Sequence, residues 1–231
     1  MISHEKFIFA RMPRTASGFT RKFIMDNIDD CEEAEDGHQP IPHGDDRFRF
    51  GALRNPFDWY VSWWQQTMYN HQNYKHPVWS DIQHRGGYEF ANFLQLEHNI
   101  GGKNTWVDYD VVRKLDIGTM TYFYLKVLCN FDFDSSDIQQ ANLLLDKLFV
   151  YEDLESSVTS IVQRFSGKTE NQLRRSFKKV KRENKSFLRD SGWKIYHSNE
   201  TIALIKHKDR LLFDRHADQF RIYWDASFNS A

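Results

Sequence analysis

The sequence is poor in cysteine, with only Cys31 and Cys129 among 231 residues. Two thiols that far apart, in no ligand spacing, exclude a disulfide framework and give no zinc signature. Proline and glycine are also sparse, at five and eleven. No Pro/Gly/Ser-rich linker, internal repeat or low-complexity tract interrupts the chain. The length allows one full core with at most a small appendage, so a single domain over residues 1–231 is expected. No apolar run approaches the ~18 residues that span a bilayer. The opening MISHEKFIFARMPR lacks the basic-then-apolar order of a signal peptide. An excess of one charge is missing too: 31 Lys and Arg face 32 Asp and Glu, for a net charge of -1. Nothing global therefore points to nucleic acid or to a membrane as partner. A soluble, cytoplasmic protein with reduced thiols is the expectation.

What the chain does have is aromatic side chains, 16% of the total, and charge sorted into blocks. Nine acidic residues lie between Asp26 and Asp46. Eight basic residues and one acid, Glu183, lie between Arg174 and Arg189. Either block reads as solvated surface, and the basic one also as a phosphate-facing surface. Periodicity predicts a buried strand over 6–11, a helix over Ser17–Ile28, a loop over 29–46 and a strand over Phe48–Leu53. A helix follows from Pro56 to about Tyr69, with proline at its start, where the missing N–H costs nothing. Further helices are predicted over Tyr88–His98, Gly118–Cys129 and Leu154–Phe165, with strands at Thr105–Val107 and 147–151. A last helix carries Ile202, Ile205 and Leu212 on one face. This alternation argues for an α/β fold with a parallel sheet covered on both faces.

Two strand-to-helix junctions carry the chemistry. In IFARMPRTASGFT, residues 8–20, a small-residue turn opens a helix. Backbone N–H groups and the helix dipole converge there on one point, which makes an anion site. Arg14 adds a full charge that can bridge two oxygens. Ser17, Gly18 and Thr20 permit close backbone approach and offer hydroxyls. The nucleoside-triphosphate pattern GxxxxGK[ST] is absent, and with it the hydroxyl that follows the lysine to hold magnesium. The second junction, GALRNPFDWYVSWW over residues 51–64, puts Arg54 at a strand end and Ser62 eight residues on. A guanidinium and a hydroxyl so spaced can grip one phosphate from two sides. Asn55 and Asp58 read as fixing the turn. Trp59, Tyr60, Trp63 and Trp64 read as core or wall.

RNPFDWYVS resembles the 3'-phosphate motif of the sulfotransferases that use 3'-phosphoadenosine 5'-phosphosulfate, with Arg54 and Ser62 at the family spacing. PRTASGFT is similar to the family's 5'-phosphosulfate loop, with Arg14 where the family has lysine and Gly18 displaced by one position. VYEDL at Val150–Leu154 and the tail from Asn184 resemble further parts of bacterial and carbohydrate sulfotransferases. The resemblance implies a three-layer α/β/α domain around a central parallel sheet of about five strands, related to the P-loop nucleotide kinases. It implies transfer of a sulfuryl group to an acceptor hydroxyl or amine, a carbohydrate among the candidates, without a metal. Cofactor contacts then fall to Arg14, Thr15, Ala16, Ser17, Gly18, Phe19, Thr20, Arg54 and Ser62. Arg14 would also stabilise the bridging oxygen.

A general base is still required. Gly37-His38 resembles a G-H element that carries the base in 2-O-sulfotransferase-like members. His43 or a carboxylate of the same acidic loop is the alternative. Lys178, Lys181, Arg182 or Lys185 are candidates for a basic lid. A nucleotide or small-molecule kinase of related fold is the rival enzyme. A non-catalytic nucleotide- or polyanion-binding module is the rival of another class. Neither the acceptor nor the oligomeric state is legible.

Overall fold

A computed structural model describes residues 1–69, 89–101, 106–180 and 194–228. In chain order the strands are β1 (Ile2–His4), β2 (Phe7–Ala10), β3 (Glu32–Glu33), β4 (Phe48–Leu53) and β5 (Lys147–Val150). The helices are α1 (Ser17–Met25), α2 (Pro56–Tyr69), α3 (Phe90–Asn99), α4 (Tyr109–Lys114), α5 (Thr119–Phe123), α6 (Leu154–Ser166), α7 (Glu170–Lys179), α8 (Asn199–Lys208) and α9 (Arg210–Phe228). Two compact units emerge. The first comprises Met1–Arg54, Tyr124–Phe131 and Ala141–Lys185; the second Asn55–Phe123, Asp132–Gln140 and Ser186–Ala231.

The first unit is built on a five-stranded sheet in the order β3-β1-β2-β4-β5. β2, β4 and β5 are parallel. β1 is antiparallel to both β2 and β3, so β3 runs in the direction of β2. The sheet is therefore mostly parallel rather than wholly so. β1 reverses because only Glu5 and Lys6 separate it from β2, and a two-residue connection permits antiparallel pairing alone. β3 interrupts the expected acidic loop as a two-residue edge strand, whose glutamates blunt the exposed edge.

The pairing of Phe7 with Phe48, Phe9 with Phe50 and Ala52 with Phe149 sets these side chains on one face. Phe7, Phe9, Phe50, Ala52 and Phe149 pack there with Phe19 and Phe23 of α1, Val158 and Val162 of α6, and Leu173 and Phe177 of α7. Ile8, Ala10 and Leu53, on the opposite face, are equally buried. A Cβ on Gly51 would lie 3.0 Å from Leu145 and 3.3 Å from Leu128, so that face is covered too. Leu128 belongs to a π-helical turn, Tyr124–Leu128, which continues the expected Gly118–Cys129 helix beyond α5. α1 stops at Met25, short of Ile28. Asn27 Nδ2 donates to the Phe23 carbonyl at 2.8 Å and takes over the acceptor that would continue the helix.

The second unit is helical. The Asn55 side chain accepts from Phe57 N at 2.9 Å and caps α2, with Pro56 at its first position. Trp59, Tyr60, Trp63 and Trp64 are all buried, and Trp59 stacks on Trp63 at 5.3 Å. Trp106 and Val107 form no strand, because Asp108 immediately caps α4 by accepting from the amides of Asp110 and Val111; Thr105 lies outside the described residues. The expected last helix is two, α8 and α9, with buried Asp209 between them. The aromatic stretch 70–86 and residues 181–193 lie outside the described residues. Among the described residues, no helix is long and apolar enough to cross a membrane.

Candidate functional site

β2, β4 and β5 run parallel, so their carboxyl ends share one edge of the sheet, where open α/β sheets bind ligands. At that edge β2 turns through Met12–Ala16 into α1. The Thr15 hydroxyl, buried, donates to the Met12 carbonyl at 2.9 Å and pins the turn. Arg14 and Ala16 adopt left-handed backbone conformations, φ 61° and 58°. The other non-glycine residues of this kind are Asp30, Asp116 and Asn130, the types that tolerate it. For Arg14 and Ala16 the conformation costs about 1–2 kcal/mol each. A chain that dips twice into the left-handed region turns neighbouring amides to one side.

Gly18 is not the turn residue of this loop. It lies inside α1, and the left-handed positions fall on Arg14 and Ala16 instead. Ala16 is the N-cap and supplies no side-chain acceptor to the first helical amides, and the first turn contains no acid. The positive end of the helix dipole is thus left uncompensated by its own sequence. Ser17, Phe19 and Thr20 point inward. Phe19 packs edge-on against Phe177 at 4.7 Å, so only its backbone can serve a ligand. Thr20 Oγ1 is buried without a hydrogen-bond partner.

Arg54 directly follows β4. Its Nη1 donates to the Arg14 carbonyl at 3.0 Å, and its guanidinium lies 4.5 Å over the ring of Tyr151, just past β5. The residues after three parallel strands thereby meet at one point. Tyr151 belongs to the VYEDL string, but no spacing rule on the sequence couples it to Arg54. Asp153 of that string accepts from the hydroxyls of Ser156 and Ser157 at the start of α6.

His38 reaches the same edge from the acidic loop. Its Nδ1 lies 2.6 Å from the carbonyl of Arg11, the residue after β2. Burial, followed by the positive charge of Arg11, holds the imidazole below the usual histidine range, against the pull of this hydrogen bond. The ring is therefore neutral near physiological pH. A carbonyl can only accept, so Nδ1 carries the proton and Nε2 the lone pair. That is the protonation state of a base. The Arg11 and Arg21 guanidiniums both pair with Glu33 of β3, Arg21 at 2.7 Å. Sequence reasoning missed Arg11, which looks like any basic residue at a strand end. His43 is exposed.

Ser62 is buried in α2 and belongs to the second unit, whereas Arg54 is the last residue of that stretch of the first. Of the basic segment, Arg174 is engaged by Glu170 and Glu155, and Lys178 is exposed. Lys181, Arg182 and Lys185 lie outside the described residues. Among the described residues no group of three or more His, Cys, Asp or Glu is arranged to hold a metal ion.

The first unit is thus a mostly parallel α/β sheet whose parallel carboxyl edge gathers the Arg14 turn, Arg54 and Tyr151. The Arg54 guanidinium and the helix-start amides have the chemistry to hold an anion. No protein-family model, curated protein or solved structure matches the chain.

Proposed function

We propose that the protein is a sulfotransferase that takes 3'-phosphoadenosine 5'-phosphosulfate as donor and modifies a hydroxyl or amine, a carbohydrate among the candidate acceptors. The observation that carries this reading is the bond from Arg54 to the Arg14 carbonyl. It joins two motifs that lie 40 residues apart, each of which resembles one end of the same nucleotide site. When bound, the donor supplies the sulfuryl group and leaves as adenosine 3',5'-bisphosphate.

The chain's own residues then have separate tasks. Amides from Ser17 to Thr20 hold the 5'-phosphate, and Arg14 neutralises charge at the bridging oxygen. Arg54, braced by Tyr151, holds the 3'-phosphate and so discriminates against ATP. His38 accepts the acceptor's proton at Nε2 while the Arg11 carbonyl keeps the ring oriented.

A thermal-shift panel tests the reading. Adenosine 3',5'-bisphosphate should raise the melting temperature without a metal, and ATP with magnesium should not. The reverse order would make the site that of a kinase. Stabilisation by heparin alone would make it a polyanion-binding module.

A further inference from the structure

The second unit encloses ionisable groups that the proposed chemistry does not use. Glu97 on α3 and Asp209 between α8 and α9 are 1% and 0% exposed. Their surroundings differ. Asp209 Oδ1 accepts from the Thr121 amide at 2.9 Å and the Thr121 hydroxyl at 2.7 Å, at the amide-rich start of α5. Its own carbonyl accepts from Leu212 N at the start of α9. Its Oδ2 is buried without a hydrogen-bond partner. Gly118 makes the room: a Cβ there would lie 2.3 Å from the Tyr60 hydroxyl and 2.5 Å from the Asp209 carboxylate.

Glu97 Oε1 accepts from Trp63 Nε1 at 2.5 Å, and Thr119 and Tyr109 also favour its ionised form. Its Oε2, like Asp209 Oδ2, is buried without a hydrogen-bond partner. The titratable groups that face it are Tyr60 of α2, Tyr109 of α4 and Asp209, with Thr119 of α5 the remaining polar neighbour. None of these is a cation. The adjacent His98 is buried with both ring nitrogens unpartnered. Lys208 bears on Asp209 and His98, but its ammonium is spent on Asp116 at 2.6 Å; His207 also pairs with Asp116. A carboxylate at Glu97 would face the Asp209 charge in a dry site with no cation beside it.

We propose that Glu97 is held as the neutral acid and that its ionisation opens the second unit, a built-in alkaline release. Burial pushes Glu97 up to about 8, against the pull of Trp63 and Thr119, and pushes Asp209 up to about 6. A raised carboxylate gives stability that is fully present below its unfolded value and is lost as pH rises through the folded one. Between about pH 6.5 and about pH 8 Asp209 and the histidines are largely past their transitions, while the amino terminus, lowered by burial to about 5, titrates there with the opposite sign, so the Glu97 contribution is read as the difference between wild type and Glu97→Gln.

The readout is at hand, because Trp59, Trp63, Trp64 and Trp106 fall within the second unit. Urea unfolding of the full chain, followed by tryptophan fluorescence, should show the ratio of the wild-type folding constant to that of Glu97→Gln falling about tenfold per pH unit across that window. Glu97→Gln keeps the neutral shape and removes this titration. An unchanged slope in this variant overturns the proposal. If the variant does not fold, infrared titration of the wild-type protein decides. A protonated carboxyl band present at about pH 7 and lost near about pH 8 supports it, and no such band at about pH 7 overturns it.

Discussion

Ala16 occupies a backbone conformation that suits glycine, and it does so at the start of the helix proposed to hold a phosphate. Ala16→Gly should therefore stabilise the protein by up to about 1 kcal/mol, the strain relieved less the extra entropy of the unfolded chain. Urea midpoints read this directly, and a lower midpoint for the variant would mean that the loop is not strained at that position. His38 makes a sharper claim. Its environment keeps it neutral, so turnover should stay flat through about pH 7 and fall only as the pH drops below the usual histidine range of about 6.5. His38→Ala should cut kcat by about a hundredfold or more while leaving bisphosphate affinity within about twofold. The same change at exposed His43 should leave both constants alone. Turnover that survives both variants would point to a carboxylate as base.

At the scale of elements, α2 is the best-specified piece of the chain. Asn55 caps it, Pro56 opens it, and both were legible in the string RNPFDWYVS. Asn55→Ala should cost about 1–2 kcal/mol, read as a lower melting temperature, because a buried amide is left without its acceptor. A cost near zero would mean that the cap is redundant. β2, β4 and β5 were legible for a similar reason: short runs rich in Phe, Ile and Leu stand out against a polar chain. β1 and β3 were not, since three and two residues cannot display a period. The end of α1 was missed because a side-chain bond from Asn27 to a carbonyl leaves no mark on periodicity. The π-helical turn after α5 likewise has no signature in the apolar pattern, which reads simply as helix.

At the scale of the molecule, the sequence marked out the ingredients of the site better than their arrangement. Arg14, Arg54 and His38 were singled out by type and local string, and the sheet carries all three to one edge. Tyr151 and Arg11 entered only through the fold, because the pairing of β4 with β5 and the path of the acidic loop are long-range facts. The buried Glu97 and Asp209 were equally invisible, since a carboxylate in a helix reads as solvated until its neighbours are known. The division into two units was not legible either, for no linker composition marks the crossings after Arg54, Phe123, Phe131, Gln140 and Lys185. We propose that Arg54 and the Arg14 loop form a site for a nucleotide with phosphates at both ends of its ribose. Isothermal titration of adenosine 3',5'-bisphosphate into wild-type protein and Arg54→Ala tests it most directly. Wild type should bind without metal, and the variant, folded by circular dichroism, should bind about a hundredfold more weakly or not at all. Equal affinity for the two proteins, or no binding by wild type, would contradict it.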